Sequence, residues 1–196
     1  MHCVLECQHS LDLFVATDFH SEGYDSVRPC TRAYSIVLST IARSHKKNKA
    51  VKAQELLHRM ESEYRAGNSG CRPNIYSYNA VLNAAAFCSR DEKEQEEAFK
   101  VACLTFDELR MSDYLQPSDI SYGTFLKAIK KLMPESDVRN DLVKGLFRKA
   151  SRDGLVSDFV LKEVADLASP GLYQSLLEGK TNEFGNLPKS WSANVS

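Results

Sequence analysis

The sequence predicts an all-α protein, an α-solenoid of antiparallel helix-turn-helix units, and three features predict it. A proline-centred tripeptide recurs: Arg28-Pro29-Cys30, Arg72-Pro73-Asn74 and Gln116-Pro117-Ser118 lie 44 residues apart, each followed four residues on by a tyrosine, Tyr34, Tyr78 or Tyr122. After each tyrosine the apolar residues fall three and four apart, as on one face of a helix. Nowhere do apolar and polar residues alternate over a strand's length. A fixed period of this size is the mark of a repeat architecture, in which no single helix pair can bury its apolar stripe without a neighbour.

Taken in order, residues 1–28 supply a partial unit, with a helix around Leu11 to Phe19. The first full unit is 29–72: Tyr34, Val37, Leu38, Ile41 and Ala42 stripe its first helix, and Ala53, Leu56, Leu57 and Met60 its second. The second is 73–116, with Tyr78, Val81, Leu82, Ala85 and Ala86, then Ala98, Val101, Ala102, Phe106 and Leu109. The third is 117–158, with Tyr122, Phe125, Leu126 and Ile129, then Val138, Leu142, Leu146, Phe147 and Ala150. Polar, turn-forming stretches separate these stripes, among them Arg43 to Lys49, Ala66 to Gly70 and Met133 to Asp137. Pro29, Pro73 and Pro117 stand just before a first helix, where a fixed φ and a missing donor do little harm. A weaker fourth copy, Val156-Ser157-Asp158, follows after 40 residues and opens the segment 159–196. There Phe159, Val160, Val164 and Leu167 start a capping helix that Pro170-Gly171 stops, and the polar tail beyond has Leu187 and Trp191 with which to dock.

Composition narrows the function. The 196 residues are 43% apolar, enough for a sizeable core. Twenty-five basic side chains against 26 acidic ones exclude a strongly cationic nucleic-acid binder as a whole-molecule property, but not a basic face. The absence of an 18-residue apolar run argues against a membrane partner, and Met1 to Asp25 lacks the zones of a secretory signal. Cys3, Cys7, Cys30, Cys71, Cys88 and Cys103 have no framework spacing and read as free thiols of a reducing compartment.

Several residues together resemble the pentatricopeptide repeat. They are the tyrosine-led dipeptides Tyr34-Ser35, Tyr78-Asn79 and Tyr122-Gly123; Ala53 with Met60 and Ala102 with Leu109; and the steps Pro29-Cys30, Pro73-Asn74 and Pro117-Ser118. The resemblance covers roughly residues 10 to 168, and Ile75 to Leu82 is its closest stretch. The units exceed the family's usual length of about 35 residues, with the excess in loops, where insertion costs little. The tetratricopeptide repeat shares the plan, but its Trp and Leu-Gly signature is missing from all three units.

The resemblance implies binding of single-stranded RNA, one base per unit read by two or three side chains. Position by position, it implies the base-reading pairs Ser35 with Asn74, Asn79 with Ser118, and Gly123 with Asp158, flanked by Arg32, Tyr76 and Ile120. By the family's code these give A, then C, then a weak preference for G. Arg43, Lys127 and Lys131 would meet phosphate, and Arg32, Arg43, Lys46 and Lys47 with Lys127, Lys130 and Lys131 put positive charge on the first helices against Asp119 alone. The residues themselves leave other roles open. Asn74, Ser118 and Asp158 precede helices, where Asn, Ser and Asp serve as N-caps whatever the function. The three tyrosines fit a core stripe as well as a stacking platform.

No catalytic constellation stands out. His20-Ser21-Glu22 matches half of a zinc-deaminase motif, but no Cys-x-x-Cys accompanies it, and His2, Cys3, Cys7 and His9 would converge on a metal only if their segment were helical, where a disordered terminus is the expectation. There is no phosphate-binding glycine loop and no nucleophile elbow. The expectation is a non-enzymatic RNA binder without cofactor or small-molecule substrate. Through the family, it acts in RNA processing, stability or translation in a mitochondrion or plastid, with other proteins of such an assembly as partners. The alternative is a protein-interaction scaffold using the same groove for a peptide.

Overall fold

The computed structural model describes residues 29–89, 91–177 and 187–195. The helix expected around Leu11 to Phe19, and the histidines and cysteines of the first 28 residues, lie outside them. Eight α-helices follow in order: α1 (Thr31–Arg43), α2 (Lys49–Arg65), α3 (Ile75–Ala86), α4 (Glu92–Arg110), α5 (Asp119–Leu132), α6 (Asp137–Asp153), α7 (Asp158–Leu167) and α8 (Pro170–Leu177). Two 3-10 turns, Ser69–Cys71 and Lys189–Ser192, complete the described structure, which holds no strand.

Local chemistry sets the helix starts. Asn74, Asp91, Ser136 and Ser157 each accept a hydrogen bond from the amide three residues on, and Ser118 forms a reciprocal capping box with Ser121. The end of α1 is held differently: buried Lys49 donates from Nζ to the carbonyls of Ala42 (2.9 Å) and Ser44 (3.0 Å). That ammonium satisfies acceptors a helix end leaves open. Burial pushes its pKa down, although Glu94 pulls the other way.

The first helices of successive units are neighbours: α1 packs on α3, α3 on α5 and α5 on α7. Behind them α2 packs on α3 and α4, while α6 packs mainly on α5, α8 and the Lys189–Ser192 turn. The buried set follows the predicted stripes, with Tyr34, Leu38, Leu57, Met60, Tyr78, Leu82, Phe106, Leu109, Tyr122, Leu126, Ile129 and Phe147 all under 3% exposed. Alanines at 84, 85, 86, 98 and 102 let α3 and α4 approach closely. Phe106 stacks on Phe125 with centroids 4.5 Å apart and meets Tyr122 edge-on at 5.3 Å. One predicted core residue is misplaced: Val138 is 69% exposed, and Val143 fills the α6 stripe instead.

The three stripe tyrosines are core residues with anchored ends. Tyr34 donates to Glu63 Oε1 (2.7 Å), Tyr78 to Glu61 Oε1, and Tyr122 to Asp153 Oδ2 (2.9 Å). A buried phenol needs such a partner. The tail docks as expected, through Trp191, whose ring meets Phe147 edge-on at 5.4 Å. Val156 donates its amide to the Trp191 carbonyl (2.7 Å), and Asn194 donates to the carbonyls of Gly154 (2.9 Å, backbone) and Asp153 (2.9 Å, Nδ2). Gly154 ends α6 at φ +71°, and an added Cβ would sit 3.0 Å from Asn194 Nδ2, so both conformation and space call for glycine.

Candidate nucleic-acid interface

Counting from the N-caps Cys30, Asn74, Ser118 and Ser157 aligns α1, α3, α5 and α7. Residues two, five, nine and thirteen places after each cap fall on one stripe of each helix. Contacts of Lys127 and Lys131 with Phe87, and of Lys127 with Phe159, join the stripes of α3, α5 and α7, and α1 packs next to α3. Two places on stand Arg32, Tyr76 and Ile120, all exposed, and Phe159, partly covered. Five places on come Ser35, Asn79, Gly123 and Lys162; thirteen places on come Arg43, Phe87 and Lys131.

The pair Asn79 and Ser118 is brought together across two units. Ser121 donates from Oγ to Asn79 Oδ1 (2.7 Å) and lies 3.2 Å from Ser118 Oγ. With its carbonyl oxygen engaged, Asn79 keeps its amide Nδ2 as the group available to a ligand. Asn74 is also a cap, accepting at Oδ1 from the Ser77 amide and hydroxyl (3.0 Å each). Its expected partner Ser35 is half-buried, and its Oγ is hidden from solvent with no hydrogen-bond partner among the described residues. Capping and a link to the neighbouring unit are therefore combined in Ser118, whereas the contacts of the Asn74 side chain are those of a cap.

The third pair does not form a site. Ser157, not Asp158, caps α7, so Asp158 is the first helical residue and the unit is one residue shorter than the sequence spacing suggested. Gly123 is buried because the Phe159 ring lies on it. The residue missed is Phe159. It stands at the register of Tyr76 and Ile120 once the count starts from Ser157, and the one-residue slip concealed it.

The cations are unevenly free. Arg43 is exposed at the end of α1, with Nε donating to the Ser39 carbonyl (3.2 Å). Lys131 places its ammonium 3.7 Å from the Phe87 centroid, a cation–π contact, and its pKa is lowered first by burial and next by the Lys127 charge. Lys127 lies between Phe87 (5.4 Å) and Phe159 (5.3 Å) and pairs with buried Glu163 at 3.5 Å. Lys130 pairs with Asp166 at 2.8 Å. Thus α7 supplies acids that the charge count on the first helices omitted. Lys46 and Lys47 sit in the turn after α1 rather than on the helix.

Among the described residues no group of three His, Cys, Asp or Glu side chains could hold a metal, and no helix is long and apolar enough to cross a membrane. Compared with models of known families, with curated proteins and with solved structures, the chain matches none.

Proposed function

We propose that the units stack as an α-solenoid of the pentatricopeptide type whose α1–α3–α5 face holds a short single-stranded RNA, serving RNA processing, stability or translation in a mitochondrion or plastid. The observation that carries this reading is the Asn79–Ser121–Ser118 relay. It joins the two residues that the resemblance pairs, from separate units, and leaves an amide donor suited to a base edge presenting an acceptor, such as cytosine. Exposed Tyr76 and Phe87 interleaved with Arg32, Arg43 and Lys131 add stacking surfaces and phosphate contacts on the same face. The sequence held is A then C; the third pair drops out.

Two bases at about 1–3 kcal/mol each give at most about 6 kcal/mol gross. Association costs of about 4–15 kcal/mol offset much of that, so binding by this chain is weak. The test is titration of labelled single-stranded RNA containing A-C at low salt. Saturable binding weakened by Asn79→Ala with Ser118→Ala is expected, as is a log–log salt slope near −1.4 from phosphate contacts of Arg43 and Lys131 at about 0.7 each, Arg32 flanking a base instead, and the slope should fall by half in Arg43→Ala. No saturable binding defeats the proposal. A second reading, a peptide-binding scaffold, is favoured by the exposed Ile36 (58%) and Ile120 (48%) on this face. It predicts peptide binding with little salt dependence and no effect of Arg43→Ala.

A further inference from the structure

We propose that Phe159 is an end-stop that fills the third base position and limits the strand held by this face to two read nucleotides. The inference rests on the RNA reading above and goes on to its footprint. At the two open positions, the side chain two places into the following helix stands out to solvent: Tyr76 is 73% exposed beside the α1 position, and Ile120 48% beside the α3 position. At the third, the equivalent side chain is folded down onto the face. A Cβ built on Gly123 would lie 2.3 Å from Phe159 Cδ1 and Cε1 and 3.0 Å from Cζ. Aromatic carbons need about 3.5 Å from a non-bonded neighbour, so the ring rests directly on the α5 backbone and a base has no room beside it.

The electrostatics at this place agree. Lys127, within 5.3 Å of the Phe159 ring, has its charge met by Glu163, a residue only 4% exposed. Gly123 brings no reading side chain to this position, and Lys127 is not a free cation there. Gly123 therefore permits ring seating in a helix interior where glycine costs about 1 kcal/mol relative to alanine.

The experiment uses labelled RNAs carrying A-C followed by each of the four nucleotides or by an abasic residue, titrated at low salt into the wild type, Phe159→Ala and Phe159→Leu. The wild type is expected to bind all five within about twofold. Phe159→Ala should prefer a third base over the abasic residue by about fivefold or more, the lower end of one stacked base. Phe159→Leu, which keeps apolar bulk and the fold, is expected to lie between them. A wild type that loses fivefold on the abasic RNA overturns the end-stop while leaving the RNA reading intact, as does a preference unchanged in both variants. Binding by Phe159→Ala alone overturns the end-stop, since the wild type then holds no two-nucleotide strand for Phe159 to limit. Absence of binding in all three chains overturns both.

Discussion

Tyr78 passes its hydroxyl across a unit boundary to Glu61, whereas Tyr34 and Tyr122 use carboxylates of their own units. Removing the phenol in Tyr78→Phe leaves Glu61, only 16% exposed, with Arg65 at 3.6 Å as its remaining ion partner. The expected cost is about 1–3 kcal/mol, read as a lower urea midpoint with an unchanged slope. The cysteines separate in the same way by environment. Cys30 is exposed at the N-terminus of α1, and the amides of Ala33 and Arg32 hold its thiol below the ordinary range. Cys71 is buried, and burial followed by the bond to Glu63 pushes it up to about 12. In the native chain at neutral pH, iodoacetamide should label Cys30 first and Cys71 last among the four described cysteines, as peptide mass mapping would show; equal rates would contradict this. The burial of the tyrosines was legible from their spacing. Their carboxylate partners were not, because those arrive from other helices and no local spacing rule reports a contact made by packing.

At the scale of the helix, Ser121 serves both the start of α5 and the neighbouring α3. Ser121→Ala is expected to cost about 1 kcal/mol through the capping box, measured by thermal unfolding, and to release Asn79 Oδ1. Gly123→Ala, which on helix propensity alone would stabilise α5 by about 1 kcal/mol, is expected to lower the melting temperature because the new methyl meets the Phe159 ring. Made in a Phe159→Ala background, the same substitution should raise it; if the two effects have the same sign, the contact is not what decides them. The stripes of α1, α3 and α5 could be read from sequence because tyrosine, caps and apolar spacing coincide. Reading failed where these signals parted. With no proline before Ser157, Asp158 looked equally good as a cap, and Val138 kept the i, i+4 spacing of the α6 stripe although that helix presents Val143 to the core.

Across the whole molecule, the buried hydroxyls tie stability to alkaline pH. Burial first, and then the carboxylate beside each, raises the pKa of Tyr34, Tyr78 and Tyr122, and Cys71 is raised to about 12. In the unfolded chain these groups lose protons near their ordinary values, about 10 for tyrosine and about 8.5 for cysteine. Above those values the native state binds more protons than the unfolded one, so stability falls as pH rises. The urea midpoint should hold between pH 7 and 8 and decline above about pH 9, less steeply when Tyr34 and Tyr122 are both replaced by Phe. The order of the helices was legible in the sequence at this scale. The pairing of α5 lysines with α7 acids was not, since it depends on which turns of two helices come to lie side by side.

Among the ties from the first unit to the second are the Tyr78 hydroxyl on Glu61, the Asn48 amide on Glu94 at 2.8 Å, His58 against Glu108 at 3.0 Å, and Arg72 over the Tyr114 ring at 4.5 Å. Helix α6, by contrast, has its main contacts with α5, α8 and the tail. In deuterium exchange, the amides from α1 through α4 would then slow or quicken as a single cooperative block, while those of α6 report a separate opening of their own.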